Sequence, residues 1–158
     1  MRNTIILFVV TFLVLASGLA GAPASNTSPQ ERQAILNYQL TLPRANQLIT
    51  AMEAMTKYVV SLPDFQERVR KSMTMTGEER RAQLEKDPKA MAIVKQNGLT
   101  AQDYLVGVPA LRMALWAAQG RANDSNLIVS PANLAFAKTN LDQLKPKMDK
   151  ADGIVRQK

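Results

Sequence analysis

The chain has 158 residues and contains neither cysteine nor histidine. These absences exclude disulfides, thiol catalysis and iron–sulfur ligation, and they also exclude Ser-His-Asp triads, histidine-ligated zinc and histidine-ligated haem. Twenty basic residues face 13 acidic ones, for a net charge of +7, which favours anionic or acidic partners.

The N-terminus has the order basic, apolar, small that is typical of a secretory signal peptide. Arg2 supplies the charge, an apolar run interrupted by one threonine ends at Leu15, and small residues continue to Ala24. A competing cleavage site lies two residues earlier, but cleavage there would leave proline first. We therefore predict a signal peptide helix over 1–24, export to the periplasm or the extracellular space, and no membrane span after cleavage. The alternative is an uncleaved N-terminal membrane anchor.

The remaining chain is predicted to form one helical domain over 25–145, followed by a basic C-terminal tail over 146–158. Loss of Arg2 with the signal lowers the net charge from +7 to +6. Because no disulfide is possible, packing alone must hold the exported domain together. In that compartment the expected partner is a protein or an anionic envelope component, and no nucleic acid.

Helix-start signals are dense and strand signals are nearly absent, so the predicted fold class is all-α. We expect a compact bundle of about five to six helices around one buried central helix. The predicted starts are Ser28-Pro29 with Glu31, Thr76-Gly77 with Glu79, Asp87-Pro88, Thr100 with Asp103, and Ser130-Pro131.

The first long helix follows Pro43 and ends at Leu62-Pro63. A short helix is predicted from about 64 to 75, a charged exposed run over 78–86 and a compact helix over 88–96. The apolar residues of the long helix recur at a spacing that places them on one face. They are Ala45, Leu48, Ile49, Met52, Met55 and Val59.

The central helix is predicted over about 101–119. Its segment 104–118 is apolar on nearly all sides, with Arg112 as its only charge, and such a helix is expected to be buried on nearly all sides. Pro109 is expected to kink it, with Gly107 giving the affected turn room. The last helix is predicted from Pro131 to about 145, where a second proline breaks it.

No phosphate-binding glycine motif occurs, and the carboxylates lie almost entirely on polar helix faces. The sequence therefore predicts a protein that is not an enzyme and that binds no cofactor and no metal. Asp124, in the segment 121–126, is interpreted as part of a solvated loop and not as a calcium ligand.

Three residues of the central helix form the candidate site for a ligand or partner. Arg112 must find water or a partner in its apolar helix, and Trp116 follows one turn later. The functional hypothesis is a pocket in which Arg112 meets an anionic or polar ligand, with Trp116 and Tyr104 as its walls. The alternative is an arginine that snorkels, or one that pairs with an acid from a neighbouring helix.

Three segments resemble a loose group of small exported bacterial all-helical proteins without an assigned activity. They are Leu40-Thr41-Leu42, residues 97–104 (NGLTAQDY) and residues 129–136 (VSPANLAF). This resemblance implies an exported helical domain and brings no catalytic residue with it. A second segment, residues 75–83 (MTGEERRAQ), is similar to the LT-x-x-Q-R stretch of Spy-like periplasmic chaperones.

Three functions are compatible with these features. The leading hypothesis is an exported, non-catalytic binding or scaffold module of the bacterial envelope. The first alternative is a periplasmic holdase-type chaperone with an exposed apolar, basic-rimmed surface. The second is a small-ligand-binding domain with its pocket near Arg112.

Overall fold

A computed structural model of the chain describes residues 27–121 and 127–153. Over these ranges the structure is all-helical, with no strand, which confirms the predicted all-α class. The described helices number seven, more than the five to six expected. The helices are α1 (Pro29–Asn37), α2 (Leu42–Val60), α3 (Phe65–Thr74), α4 (Gly77–Lys86), α5 (Pro88–Gln96), α6 (Ala101–Trp116) and α7 (Pro131–Gly153).

Several predicted regions lie outside the described residues. They are the signal peptide at 1–24, most of the predicted loop with Asp124, and the end of the basic tail at 154–158. None of the helices in the described part of the chain combines the length and apolar composition that a membrane span needs.

Side-chain caps set where most of the helices begin. In three capping boxes the N-cap hydroxyl accepts a hydrogen bond from the backbone N–H three residues later, and the carboxylate there accepts one from the N-cap N–H. These reciprocal bonds satisfy N–H groups that a helix start leaves unpaired. The predicted boxes are thereby confirmed at Ser28 with Glu31, Thr76 with Glu79, and Thr100 with Asp103.

The apolar face predicted for α2 is buried. Ala45 and Leu48 are 0% exposed, and the face contributes to the main hydrophobic core. The opposite face carries Glu53 and Lys57, which form an ion pair one turn apart on the surface. The pattern therefore located the core-facing side of α2 correctly.

Helix α6 is the apolar helix of the sequence analysis, and it is buried along most of its length. Every residue from Val106 to Leu115 is buried, and α6 contacts α1, α2, α4, α5 and α7. The helix was predicted to end at about 119; its α-helical part stops at Trp116, and a π-helical turn, Ala117–Arg121, follows. Gly120 has a φ of 93° in that turn, a conformation that glycine adopts without the penalty of a side chain.

Gly107 is needed for a reason that the sequence did not show. A Cβ atom at this position would lie 2.7 Å from Cζ of Tyr38 and 2.9 Å from Cδ1 of Leu48. Both distances are below van der Waals contact, and Leu48 is fully buried. The glycine therefore allows α6 to approach the α1–α2 connection closely.

We expect Gly107→Ala to lower the free energy of unfolding by about 1 kcal/mol. Overpacking of this kind costs about 1–3 kcal/mol, and the better helix propensity of alanine offsets about 1 kcal/mol of it. Gly153→Ala is the matched control, because its added Cβ has nothing within 4 Å. Urea denaturation measures both, and equal stability of the two variants would contradict the close-approach argument.

The predicted end of the last helix near Lys145 is wrong. α7 continues through Pro146 to Gly153, so the described part of the predicted tail is helical. Pro146 is exposed, and the carbonyl that loses its hydrogen bond there belongs to an exposed residue that water can reach. Apolar contacts on the opposite face hold the helix together on both sides of the proline. Those buried residues are Leu144, Met148 and Ala151.

Candidate functional site

Arg112 is buried and paired. Its residue exposure is 4%, and its Nη2 donates to Oδ1 of Asp152 at 2.7 Å and to the sulfur of Met52 at 3.3 Å. Asp152 comes from α7, so the arginine has the carboxylate partner from a neighbouring helix that the sequence analysis offered as an alternative. Its Nε has no hydrogen-bond partner among the described residues.

The three predicted site residues do not line one common cavity in the described part of the chain. Trp116 is partly buried at the end of α6. Tyr104 lies two helical turns before Arg112, about 12 Å along the axis, and it lines a cavity whose wall includes neither Arg112 nor Trp116. The contacts of Arg112 favour a structural role, and its role as a ligand contact stays a prediction.

The cavity beside Tyr104 has a volume of about 80 Å³ and is partly open to solvent. It lies between α2, α4 and α6, with α3 along one side and the start of α5 at one end. We call it the Tyr104 cavity. Its lining is Met55, Tyr58, Val59, Leu62, Arg68, Ser72, Arg80, Gln83, Leu84, Asp87, Ala90, Tyr104 and Leu105.

The inner wall of the Tyr104 cavity is apolar. Met55 from α2, Leu84 from α4 and Ala90 from α5 are buried members of the main core, and Val59 and Leu105 pack against them. A ligand that displaced water from this wall would gain hydrophobic free energy. The wall therefore suits a hydrocarbon group.

The hydroxyl of Tyr104 makes no hydrogen bond to a described residue. Burial of the side chain raises the pKa of this hydroxyl, and the positive charge of Arg112 opposes that rise. The group is therefore an O–H at any physiological pH, and it can donate a hydrogen bond to a molecule in the cavity.

Two further polar groups of the lining have free donors among the described residues. Arg68 bonds both carboxylate oxygens of Asp64 through Nε, at 2.9 Å, and neither of its terminal nitrogens is bonded to a described residue. The side-chain amide of Gln83 is also without such a bond. Arginine carries five N–H donors, so most of the donor capacity of Arg68 is available.

At the end of the cavity nearest α5, the carboxylate of Asp87 is held by several hydrogen bonds. Oδ2 of Asp87 accepts from the Tyr58 hydroxyl at 2.8 Å, while its Oδ1 accepts from the first backbone N–H groups of α5 at 3.1 and 3.0 Å. The bond to Asp87 raises the pKa of Tyr58, and Lys89 lies 4.9 Å from the centre of the Tyr58 ring. Both oxygens of this carboxylate are therefore already occupied.

Helix α3 contributes Arg68 and Ser72 to the lining and has little packing of its own. Ser72 is its only buried residue, whereas Phe65 and Val69 are partly buried and Met73 is 58% exposed. Its N-cap, Asp64, makes no side-chain capping bond. A helix with so little buried surface opens at low free energy.

A second concave region lies on the outer surface of α4 and α5. It is a shallow depression of about 530 Å³, lined by Glu85, Pro88, Met91, Ala92 and Lys95. It is more open to solvent than the Tyr104 cavity. The smaller cavity is the better candidate site, because it combines enclosed apolar wall with unengaged polar groups.

Sequence reasoning found Tyr104 but missed the rest of this lining. Arg68, Arg80 and Gln83 lie in charged stretches that the sequence presents as exposed helix surface. Only the tertiary arrangement of the helices brings them into the lining of one cavity. Within residues 27–121 and 127–153, no group of three or more acidic side chains is arranged to hold a metal ion.

Comparisons with protein-family models, with curated proteins and with solved structures each found no match to this chain.

Proposed function

We propose that the chain is an exported, non-catalytic binding protein, built as a compact helical bundle, and that its binding site is the Tyr104 cavity. The observation that carries the proposal is an apolar cavity whose lining includes donors of Tyr104, Arg68 and Gln83 that bond to none of the residues the structure describes. The proposal of export rests on the N-terminal sequence. The net positive charge of the protein suits a partner among the anionic components of the envelope.

Binding is tested with three probes that share one apolar tail: hexanoate, hexan-1-ol and hexan-1-amine. At least one of them is expected to bind the purified protein with a Kd of about 1 mM, the range of a weakly held fragment of this size. Two-dimensional 15N–1H NMR is expected to show shift changes at residues of the lining, such as Leu84 and Leu105. If no probe shifts these signals at several millimolar, the proposal is wrong.

A pair of alanine substitutions in α5 locates the site. Ala90 is buried in the cavity lining, whereas Ala92 is exposed on the same helix and lines the shallow depression. We expect Ala90→Leu to weaken probe binding about tenfold by filling the cavity. Ala92→Leu is expected to leave the affinity unchanged within about twofold, and the reverse order would place the site in the depression.

A second candidate function is a holdase-type chaperone. The observation that favours it is α3, an amphipathic helix with an exposed Met73 and little packing, which borders an apolar wall. Displacement of α3 would expose that wall beside the basic side chains of Arg68 and Arg80. If the protein fails to suppress aggregation of an unfolded client at stoichiometric amounts, this candidate is excluded.

A further inference from the structure

We propose that the ligand of the Tyr104 cavity is a short-chain or single-ring carboxylate, bound with its head toward Arg68 and Tyr104 and its tail against the apolar wall. This inference rests on the proposed function, since it requires the cavity to be the binding site. It adds the chemical class of the ligand and the residues that select it.

The polar groups of the lining that make no hydrogen bond to a described residue are mostly donors. Tyr104 offers an O–H, Arg68 offers its terminal N–H groups, and Gln83 offers an amide that both donates and accepts. The acidic residue of the lining, Asp87, has both oxygens occupied by Tyr58 and by the start of α5. A complementary head group is therefore an acceptor.

Among acceptors, the terminal N–H groups of Arg68 favour an anion, because hydrogen bonds from a charged donor to an ionised acceptor are the strong ones. Arg68 and Arg80 both line the cavity, and a cationic head group would face these two guanidinium groups. Arg68 is paired with Asp64 in an exposed contact on one helix, a kind of ion pair that contributes little to stability. A ligand carboxylate can therefore take the terminal nitrogens of Arg68 while Nε keeps Asp64.

Arg80 is already engaged in an ion pair with Glu31. Its Nη1 donates to the carbonyl of Met75 and its Nη2 to Oε1 of Glu31, both at 2.8 Å. These two bonds hold the guanidinium in place at the junction of α1 and α4. Arg68 is less constrained and is 39% exposed at its side chain, so it is the arginine that can adjust to a bound head group.

The size of the cavity limits the tail. Its volume of about 80 Å³ is smaller than the roughly 150 Å³ of an apolar cavity that holds benzene. A chain of about six carbons, or one ring, therefore requires a small outward movement of α3. Because α3 buries only Ser72, this movement disturbs little packing.

The test compares hexanoate, hexan-1-ol and hexan-1-amine by NMR titration of the purified protein. We expect hexanoate to bind about tenfold more tightly than hexan-1-ol, because charge-assisted hydrogen bonds to arginine are the strong ones. Hexan-1-amine is expected to bind more weakly than the alcohol. Equal binding of acid and alcohol, or tighter binding of the amine, would overturn the carboxylate assignment while leaving the cavity as a binding site.

Two single substitutions in α3 test whether Arg68 contacts the head group of the ligand. Arg68→Gln is expected to lower the affinity for hexanoate to about that for hexan-1-ol, without changing the affinity for the alcohol. Arg70→Gln is the matched control, since Arg70 lies on the same helix, is exposed and is not part of the lining. If both variants weaken hexanoate equally, the effect is one of overall charge and the proposed contact is wrong.

If none of the three probes binds, the proposed function fails together with this inference. If they bind without regard to the head group, only this inference fails. Tyr104→Phe adds an independent check, because it removes one donor and keeps the ring. We expect it to weaken hexanoate several-fold, and unchanged affinity would remove Tyr104 from the head-group contact.

Discussion

Asp152→Ala is expected to lower the free energy of unfolding by about 3 kcal/mol. The substitution leaves the guanidinium of Arg112 buried without its carboxylate, and removal of one partner of a buried ion pair costs about 3–5 kcal/mol. The lower end of that range applies because the side chain of Asp152 is 33% exposed, so water can partly replace it. Urea denaturation followed by circular dichroism measures the change.

Asp149→Ala is the matched control for this prediction. Asp149 lies on the same helix, is exposed and pairs with Lys145 one turn earlier. Surface substitutions of this kind change stability by about 0.5 kcal/mol or less. If Asp149→Ala and Asp152→Ala destabilise the protein equally, the buried pair does not have the importance assigned to it.

Replacement of Arg112, the other partner of the ion pair, is expected to lower the free energy of unfolding less than replacement of Asp152 does. Arg112→Met replaces the charge with an apolar side chain in an apolar helix and leaves a carboxylate that is in contact with water. We expect it to lower the free energy of unfolding by only about 1 kcal/mol or less, because the carboxylate that remains is 33% exposed and does not stay buried without a partner. In the double variant with Asp152→Ala, most of the loss caused by the aspartate change is expected to disappear.

This ion pair explains why α7 continues past Pro146. Asp152 lies in the last turn of α7 and reaches into the middle of α6 through Arg112. Met148 and Ala151 are buried on the same side of the helix. Together these contacts fix the segment that follows the proline, so loss of Asp152 is expected to increase amide exchange first in the last two turns of α7.

Asn133→Ala is expected to lower the free energy of unfolding by about 3 kcal/mol. The side chain is 3% exposed, its Oδ1 accepts from the N–H of Leu40 at 3.1 Å, and its Nδ2 donates to the carbonyl of Tyr38 at 2.7 Å. Alanine leaves both backbone groups without this partner, and each unsatisfied buried group costs about 1–3 kcal/mol. Urea denaturation again measures the change.

Asn140→Ala separates this effect from the general consequences of removing an asparagine from α7. Asn140 is partly buried, and its amide bonds only to the carbonyl of Phe136 within the same helix. We expect its replacement to change stability by less than about 0.5 kcal/mol. A similar loss in both variants would show that the bonds from Asn133 to the α1–α2 connection are not the cause.

The isosteric change Asn133→Asp gives a pH-dependent form of the same test. An ionised carboxylate at this position keeps the acceptor for Leu40 but faces the carbonyl of Tyr38 with a second acceptor. Its folded-state pKa is therefore raised, and the stability difference from the unmodified protein is expected to shrink as the pH falls from 7 to 4. A difference that does not change with pH would contradict the assigned donor role of Nδ2.

Asn133 also brings together segments that the sequence presents as separate motifs. Leu40-Thr41-Leu42 lies before α2, and residues 129–136 contain the start of α7. The bonds of Asn133 join these two, and Nη1 of Arg44 donates to the carbonyl of Gly98 in the third segment at 3.2 Å. These bonds connect the starts of α2 and α7 and the turn that precedes α6.

Part of the candidate site could be predicted from the sequence. The apolar spacing of α2 placed Met55 on its buried face, and the central helix was correctly singled out because it is apolar on all sides. Arg112, Trp116 and Tyr104 are close in sequence, but a helix directs side chains at different positions toward different neighbours. Tyr104 therefore lines the cavity while Arg112 pairs with Asp152, and Trp116 ends the helix.

The all-α class, the starts of most helices and the core-facing side of α2 follow from local patterns in the sequence. These features depend on interactions within a few residues, such as the capping boxes at Ser28 and Thr100 and the spacing of apolar side chains. Only the tertiary structure decided the passage of α7 through Pro146, the need for Gly107, the partners of Arg112 and Asn133, and the Tyr104 cavity. Each of these features depends on residues that are far apart in the chain. Burial and hydrogen bonds between helices contribute more free energy there than local helix propensity does.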